Sequence, residues 1–189
     1  HEVLHGKRNI KILHQDVLKL DWERDIAAQV AGRQRIVLCA NLPYYITSPI
    51  IFKILDDFDR IERAVLMMQR EVADRLLASP GTKEYGLLTV MVARRAAVEP
   101  VARVSRNCFF PVPDVDSAVV KMTPYRQPPV GVKNAALFNQ VVRESFQKRR
   151  KSLNNVLNGI NGMDKDQVRQ LLDGLGIDPM RRGETLTVE

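Results

Sequence analysis

The sequence is poor in cysteine, in histidine and in long apolar runs. Two cysteines, Cys39 and Cys108, stand in 189 residues. They lie far apart, each in an apolar setting. That count excludes a disulfide-dense secreted scaffold, and both are expected as reduced, buried thiols of a cytosolic-type protein. No apolar run approaches the roughly 18 residues that a membrane-spanning helix needs, and no signal peptide is visible. Of the three histidines, His1 and His5 form an H-E-x-x-H pattern with Glu2. A zinc site of that kind needs a third protein ligand on a suitable element. The remaining histidine, His14, falls on a separate segment beyond Gly6, so no metal site is expected. Internal repeats and low-complexity tracts are also missing.

What is present is an ordinary globular composition, 45% hydrophobic and 27% charged. It supplies one good core, or one core with a small satellite. The formal net charge is +7. A balance of that size favours a polyanionic partner, most simply a nucleic acid, with an acidic membrane surface as the other option.

Along the chain, strand and helix signals alternate. "HEVLHGKRN" has the look of a last helical turn stopped at Gly6. Ile10–Asp16 is expected as a short strand ending in an acid, and residues 22–31 suit a helix. Arg35–Ala40 is an apolar run expected to form a central parallel strand buried on both faces. A helix from Ser48 to Asp57 should follow, capped by Ser48 with Pro49 in its first position. Arg63–Gln69 is the next strand; Arg70–Ser79 and Gly86–Ala96 are helical. "VARVSR" and "DSAVVKMTPY" read as an antiparallel pair around a loop with two prolines. The pattern predicts an α/β sheet with one antiparallel strand at its edge. Residues 127–131, Gln-Pro-Pro-Val-Gly, form the best linker. Residues 1–126 would then be one domain and 132–189 a second, purely helical one, with helices near 133–147, 150–158 and 164–175.

Four places carry chemistry. Asp16 sits where a strand of a parallel-type sheet ends, the position at which such sheets bind ligands; a turn or cap role is the alternative. Asn41-Leu42-Pro43-Tyr44 also closes a strand. Pro43 stiffens the loop, Asn41 offers an amide oxygen beside the Leu42 carbonyl, and Tyr44 offers a ring face for a base. A plain proline turn with a packed tyrosine is the alternative. Phe109-Phe110 stand on the proline-braced loop, where one ring can be buried while the other faces the crevice. Arg143, Lys148, Arg149, Arg150 and Lys151 crowd one helix junction with a single acid, Glu144. Cations packed so densely repel one another unless phosphates lie over them.

"ANLPYYITSPIIFKIL", "MMQREVADRL", "YGLLTVMVA", "FFPVPDVDSAVV", "ESFQKRRKSLNN" and "LGIDPMRRGETL" occur in this order. Together they resemble the KsgA-type ribosomal RNA adenine dimethyltransferases over about residues 8–189. The resemblance implies a Rossmann-like sheet that binds S-adenosylmethionine, followed by a small all-helical C-terminal domain. It implies transfer of methyl groups to N6 of two adjacent adenosines near the 3′ end of small-subunit rRNA, by a cytoplasmic protein acting as a monomer. Asp16, with Val17 beside it, matches the position that contacts the adenine of the methyl donor, and Asn41 also borders that site. Asn41, Leu42, Pro43 and Tyr44 match the catalytic loop, and Phe110 the second aromatic against the target base. Arg143 and Lys148–Lys151 fall at the start of the RNA-binding helical domain.

The family's glycine-rich loop and the acid that binds the donor's ribose do not occur in this sequence, and the chain opens in mid-pattern. It is therefore expected to be the larger part of a methyltransferase, inactive alone and weak in binding the donor. A non-catalytic ribosome-assembly or RNA-binding factor and a large-subunit rRNA methyltransferase of the resistance type are the competing readings. A DNA adenine methyltransferase fits the arrangement less well.

Overall fold

The computed structural model describes residues 10–26, 36–57, 60–148 and 150–188. The chain divides into two compact units, His1–Gln34 and Arg35–Glu189. The H-E-x-x-H segment lies outside the described residues, as does Arg149.

In the second unit the sheet has four strands: β1 (Ile36–Asn41), β2 (Ile61–Gln69), β3 (Ala96–Val104) and β4 (Ser117–Pro124), in the order β1-β2-β4-β3. β1 and β2 are parallel; β4 runs antiparallel to both β2 and β3. Two expectations need correction. The antiparallel strand is not at the edge but inserted in the interior, between β2 and β3. β1 is the edge of the described sheet, not a strand buried on both faces. Its residues alternate between half-buried and exposed, and among the described residues only one of its sides meets a hydrogen-bonded neighbour. Cys39 is consequently exposed, and Cys108, on the loop before β4, is exposed as well; both are free thiols. The other edge, β3, holds Pro100 at an irregularity in its ladder, where a missing N–H costs no pairing.

The core lies on β2 and β4. Leu66, Met68, Val120 and Met122 are fully buried, since strands flanked on both sides must be apolar. The connection from β1 to β2 is α1 (Thr47–Asp56), which buries Ile50, Ile51, Ile54 and Leu55 along one stripe. α1 starts one residue earlier than Ser48, directly from a 3-10 turn at Tyr44–Ile46. Ser48 therefore lies inside the helix and caps nothing, while Pro49 sits in the first turn, where its missing N–H has no acceptor anyway. α2 (Arg70–Leu76) and α3 (Leu87–Ala93) follow; α3 stops short because Ala96 already belongs to β3.

The helical part begins at α4 (Ala135–Gln147), with the Asn134 side chain accepting a hydrogen bond from Leu137 N. α5 (Leu153–Val156) and α6 (Lys165–Gly174) pack a core of their own from Leu153, Val156, Leu157, Ile160, Val168 and Leu172. A smaller cluster of Tyr85, Val90 and Val142 joins α3 to α4, with Phe138 and Phe146 against it. The Tyr85 hydroxyl donates to Leu186 O at 2.9 Å, and its ring lies 5.9 Å from that of Phe146. Gly183 approaches α4 so closely that a Cβ there would stand 2.8 Å from Ser145 O.

In the first unit Ile10–Asp16 is not a strand. Asp16 Oδ1 accepts a hydrogen bond from Leu18 N at 2.9 Å and caps a 3-10 turn at Val17–Lys19. Trp22–Ile26 is a single wide helical turn, and the rest of the expected helix lies outside the described residues. The Arg24 guanidinium grips Asp25 through two bonds of 2.7 Å, and Gln15 and Asp21 N add to the same carboxylate. Arg24, and then the Asp21 backbone, hold that carboxyl well below its usual range.

Candidate active site

β1 ends by delivering Asn41 opposite Met67 of β2, and the ladder continues one bond further with Leu42 N donating to Met67 O at 2.9 Å. Leu42 is buried and anchors the loop from below. The Pro43 carbonyl then accepts two bonds, from Ile46 N at 3.2 Å and from Thr47 Oγ1 at 2.9 Å. These bonds turn the chain from strand into α1 within a few residues. They leave the Asn41 amide exposed, with no hydrogen bond to a described residue.

Tyr44 is half-buried, and its hydroxyl meets Ser117 Oγ at 2.6 Å. Across from this loop stands the β3–β4 connection. Asn41, Leu42, Pro43 and Tyr44 share one open cleft of about 380 Å³ with Phe109, Phe110, Pro111 and Pro113. Phe109 is half-buried, whereas Phe110 is fully exposed on a cis Phe110–Pro111 peptide. A large apolar ring held wholly in solvent lacks a packing role and suits a ligand surface.

Asp116 holds that second loop through both its carboxylate and its backbone carbonyl. Asp116 Oδ1 accepts from Arg106 N at 3.0 Å, and Asp116 O accepts from Arg70 N at 3.0 Å. The Arg70 guanidinium also lies 3.6 Å from Asp116 Oδ2.

The structure thus brings Asn41, Leu42, Pro43, Tyr44 and Phe110 into one cleft. Asp16 and Val17 belong to the first unit, where Asp16 does serve as a cap through Oδ1 and Val17 is partly exposed. Arg143, Lys148, Arg150 and Lys151 are all exposed around the end of α4. Ser117, Thr47 and Asp116 were not foreseen from the sequence. The available signal was weak: a short polar pair, Asp116-Ser117, opening an otherwise apolar strand. Among the described residues no cluster of three or more His, Cys, Asp or Glu side chains could hold a metal ion, and no helix is long and apolar enough to cross a membrane.

A mixed sheet whose parallel strand ends in an amide-proline-tyrosine loop, faced by an aromatic hairpin connection, defines a Rossmann-like methyltransferase domain. Residues 1–189 match the family described as Ribosomal RNA adenine dimethylase. The chain is 50% identical over 184 residues to the "Ribosomal RNA small subunit methyltransferase A" of Geobacillus sp. (strain WCH70), covering 96% of this chain and 63% of that protein. It is 44% identical over 191 residues to the protein of the same name from Bacillus mycoides (strain KBAB4), covering 100% of this chain and 65% of the relative. Among solved structures it is similar to a dimethyladenosine transferase from Plasmodium falciparum, at 27% identity and a TM-score of 0.78 over 98% of this chain and 71% of that one. The 23S rRNA methyltransferase ErmE is also similar, at 25% identity and a TM-score of 0.66 over 99% and 71%. This chain belongs to the ribosomal RNA adenine dimethylase family. It spans less than two thirds of the length of these two bacterial relatives.

Proposed function

We propose that this chain carries the base pocket and RNA-binding part of an enzyme that dimethylates N6 of two adjacent adenosines in small-subunit rRNA. The observation that carries the reading is the cleft itself: an exposed amide at a strand's carboxyl end, flanked by Tyr44 and a fully exposed Phe110.

Adenine N6 is a poor nucleophile because its lone pair is spread into the ring. Asn41 Oδ1 and the Leu42 carbonyl accept its two N–H bonds and favour a more tetrahedral nitrogen. The lone pair is thereby released from the ring, an orienting and polarising role rather than that of a strong base. Tyr44 and Phe110 sandwich the base once it leaves its loop. In the first unit Asp16 and Val17 would contact S-adenosylmethionine, which supplies a sulfonium methyl already electrophilic enough to need no strong base. The fit is chemical: a carboxylate oxygen suits an adenine amine, and the cap engages Oδ1 of Asp16. After a first methylation only one N–H remains, so the second transfer requires Asn41 and Leu42 to share one donor.

Arg143, Lys148, Arg149, Arg150 and Lys151 are assigned to rRNA phosphates, and residues 132–189 to an RNA-binding domain joined through the linker at 127–131. The exposure of the four described cations supports this.

The test uses the full-length gene product, S-adenosylmethionine and under-methylated small subunits. The expected product is N6,N6-dimethyladenosine in digested rRNA, detected by mass spectrometry. Binding of the subunits without any methyl transfer would instead favour an assembly factor.

A further inference from the structure

We propose that Ser117 is a positioning residue: its hydroxyl pins Tyr44 at a fixed angle to the loop that carries Phe110, and so sets the slot for the base. The inference rests on the proposed function and deepens it.

Ser117 is 1% exposed and is the first residue of β4. It pairs with Gln69 of β2 on one side and with Val104 of β3 on the other, so its backbone is held from both directions. Its hydroxyl meets the Tyr44 hydroxyl at 2.6 Å across 73 positions of sequence. Tyr44 otherwise sits on a short 3-10 turn whose own bonds fix the backbone and leave the ring to rotate. A polar contact between a buried strand and the tip of that ring removes this freedom.

The opposite wall is anchored next door. Asp116 fixes Arg106 N, the start of the turn that leads into Phe109-Phe110. Phe110 packs on nothing, so the loop's backbone anchors must set its place. Two consecutive residues therefore define both walls of the cleft from one rigid point at the head of β4. A pocket that must hold one flat ring in register, and do so before and after a methyl is added, needs walls of fixed spacing.

The experiment breaks the bond from each end in the full-length protein. Ser117→Ala, Tyr44→Phe and the double variant are assayed for kcat and KM on under-methylated small subunits, with a thermal melt for each. Each single variant is expected to lose about tenfold in kcat/KM, chiefly through kcat, as fits one lost hydrogen bond. The double variant is expected to be no worse than either single, because both remove the same bond. Independent, multiplying losses would overturn the proposal, and so would wild-type turnover in Ser117→Ala. If Ser117→Ala does not fold, Tyr44→Phe decides: reduced kcat with an unchanged melt supports the pin, and full turnover overturns it. A wild-type enzyme that transfers no methyl defeats the functional reading itself, and the pin with it. An active wild type with indifferent variants defeats the pin alone.

Discussion

Two stretches of this chain look alike on paper. Ile10–Asp16 and Ile36–Asn41 are both short, open on an isoleucine, carry β-forming or apolar residues and are closed by an Asp or Asn. The second is a strand, laddered to β2 through six paired positions. The first is not, and Ile10, Ile12 and Leu13 remain 43%, 52% and 38% exposed. The difference teaches that a strand is a property of a pair. β-propensity describes fitness for a pleated, half-buried surface and supplies no partner. The same distinction runs through the side chains. Some find their partners inside the unit, as Leu66 and Tyr85 do. Others, such as the Asn41 amide and the cations after α4, are exposed and find none among the described residues.

The sharpest way to test that division is to remove an outward-facing group. Asn41→Ala is expected to cut methyl transfer by about 10²–10³-fold, the usual cost of a lost polarising contact in a transition state. Because the side chain is exposed and bonded to no described residue, the urea midpoint should stay at the wild-type value. A destabilised Asn41→Ala protein would show that the amide has a partner within the fold, and the comparison would fail at its central residue.

The inward-facing class should behave in the opposite sense. Leu66 is completely buried on β2, and Leu66→Ala is expected to cost about 2–5 kcal/mol. Ile12→Ala, in the look-alike stretch, should cost less than about 0.5 kcal/mol, as most surface changes do. Equilibrium urea unfolding of the two variants measures both. Equal losses would mean that Ile10–Asp16 is buried after all, and the contrast drawn from its exposure would collapse.

How much of this was legible follows the same line. β2, β4 and the three C-terminal helices could be read because their periodicity reports burial inside one unit. The loop at the end of β1 could be placed because Asn-Leu-Pro-Tyr is contiguous. The position of β4 between β2 and β3 was not legible: a hairpin's sequence signals its turn and pairing but not which further strand it inserts beside. Nor was the exposure of Cys39, since an apolar run does not say whether its second face is covered. Ser117 stayed hidden because its side-chain partner, Tyr44, is 73 positions away. Local sequence carries turn chemistry well and long-range contacts hardly at all.

Charge offers a third test. In the first unit Arg24 and Asp25 satisfy each other, whereas Lys148, Arg150 and Lys151 make no ion pair with a described residue. Replacing those three by glutamine should weaken binding to small-subunit rRNA and flatten its salt dependence. The slope of log K against log salt is expected to fall by about 2, the value for three lost contacts to single-stranded phosphate. A salt titration by filter binding reads this directly. An unchanged slope would place the phosphates elsewhere, and these cations would be ordinary solvated surface.

A more modest effect than that of Leu66 concerns Tyr85, the inward-facing counterpart of the exposed aromatics in the cleft. It is 2% exposed, and its hydroxyl closes a bond from the segment before α3 to Leu186 O. Tyr85→Phe keeps the ring against Phe146 but removes that bond, for an expected loss of about 1 kcal/mol. Burial raises the phenol above its ordinary value of 10.0. The folded protein thus holds a proton that the unfolded chain gives up once the pH passes that value. The contribution is complete below the ordinary phenol range and is lost as the pH rises through the folded value. Stability measured from neutral to strongly alkaline pH should therefore fall more steeply in the wild type than in Tyr85→Phe, so that the two curves converge at the alkaline end. Parallel curves would mean that the phenol titrates as freely folded as unfolded. Only coincident curves would leave the attachment of the helical part to packing among Tyr85, Val142 and Phe146 and to the close approach of Gly183 to α4, with no contribution from the hydroxyl.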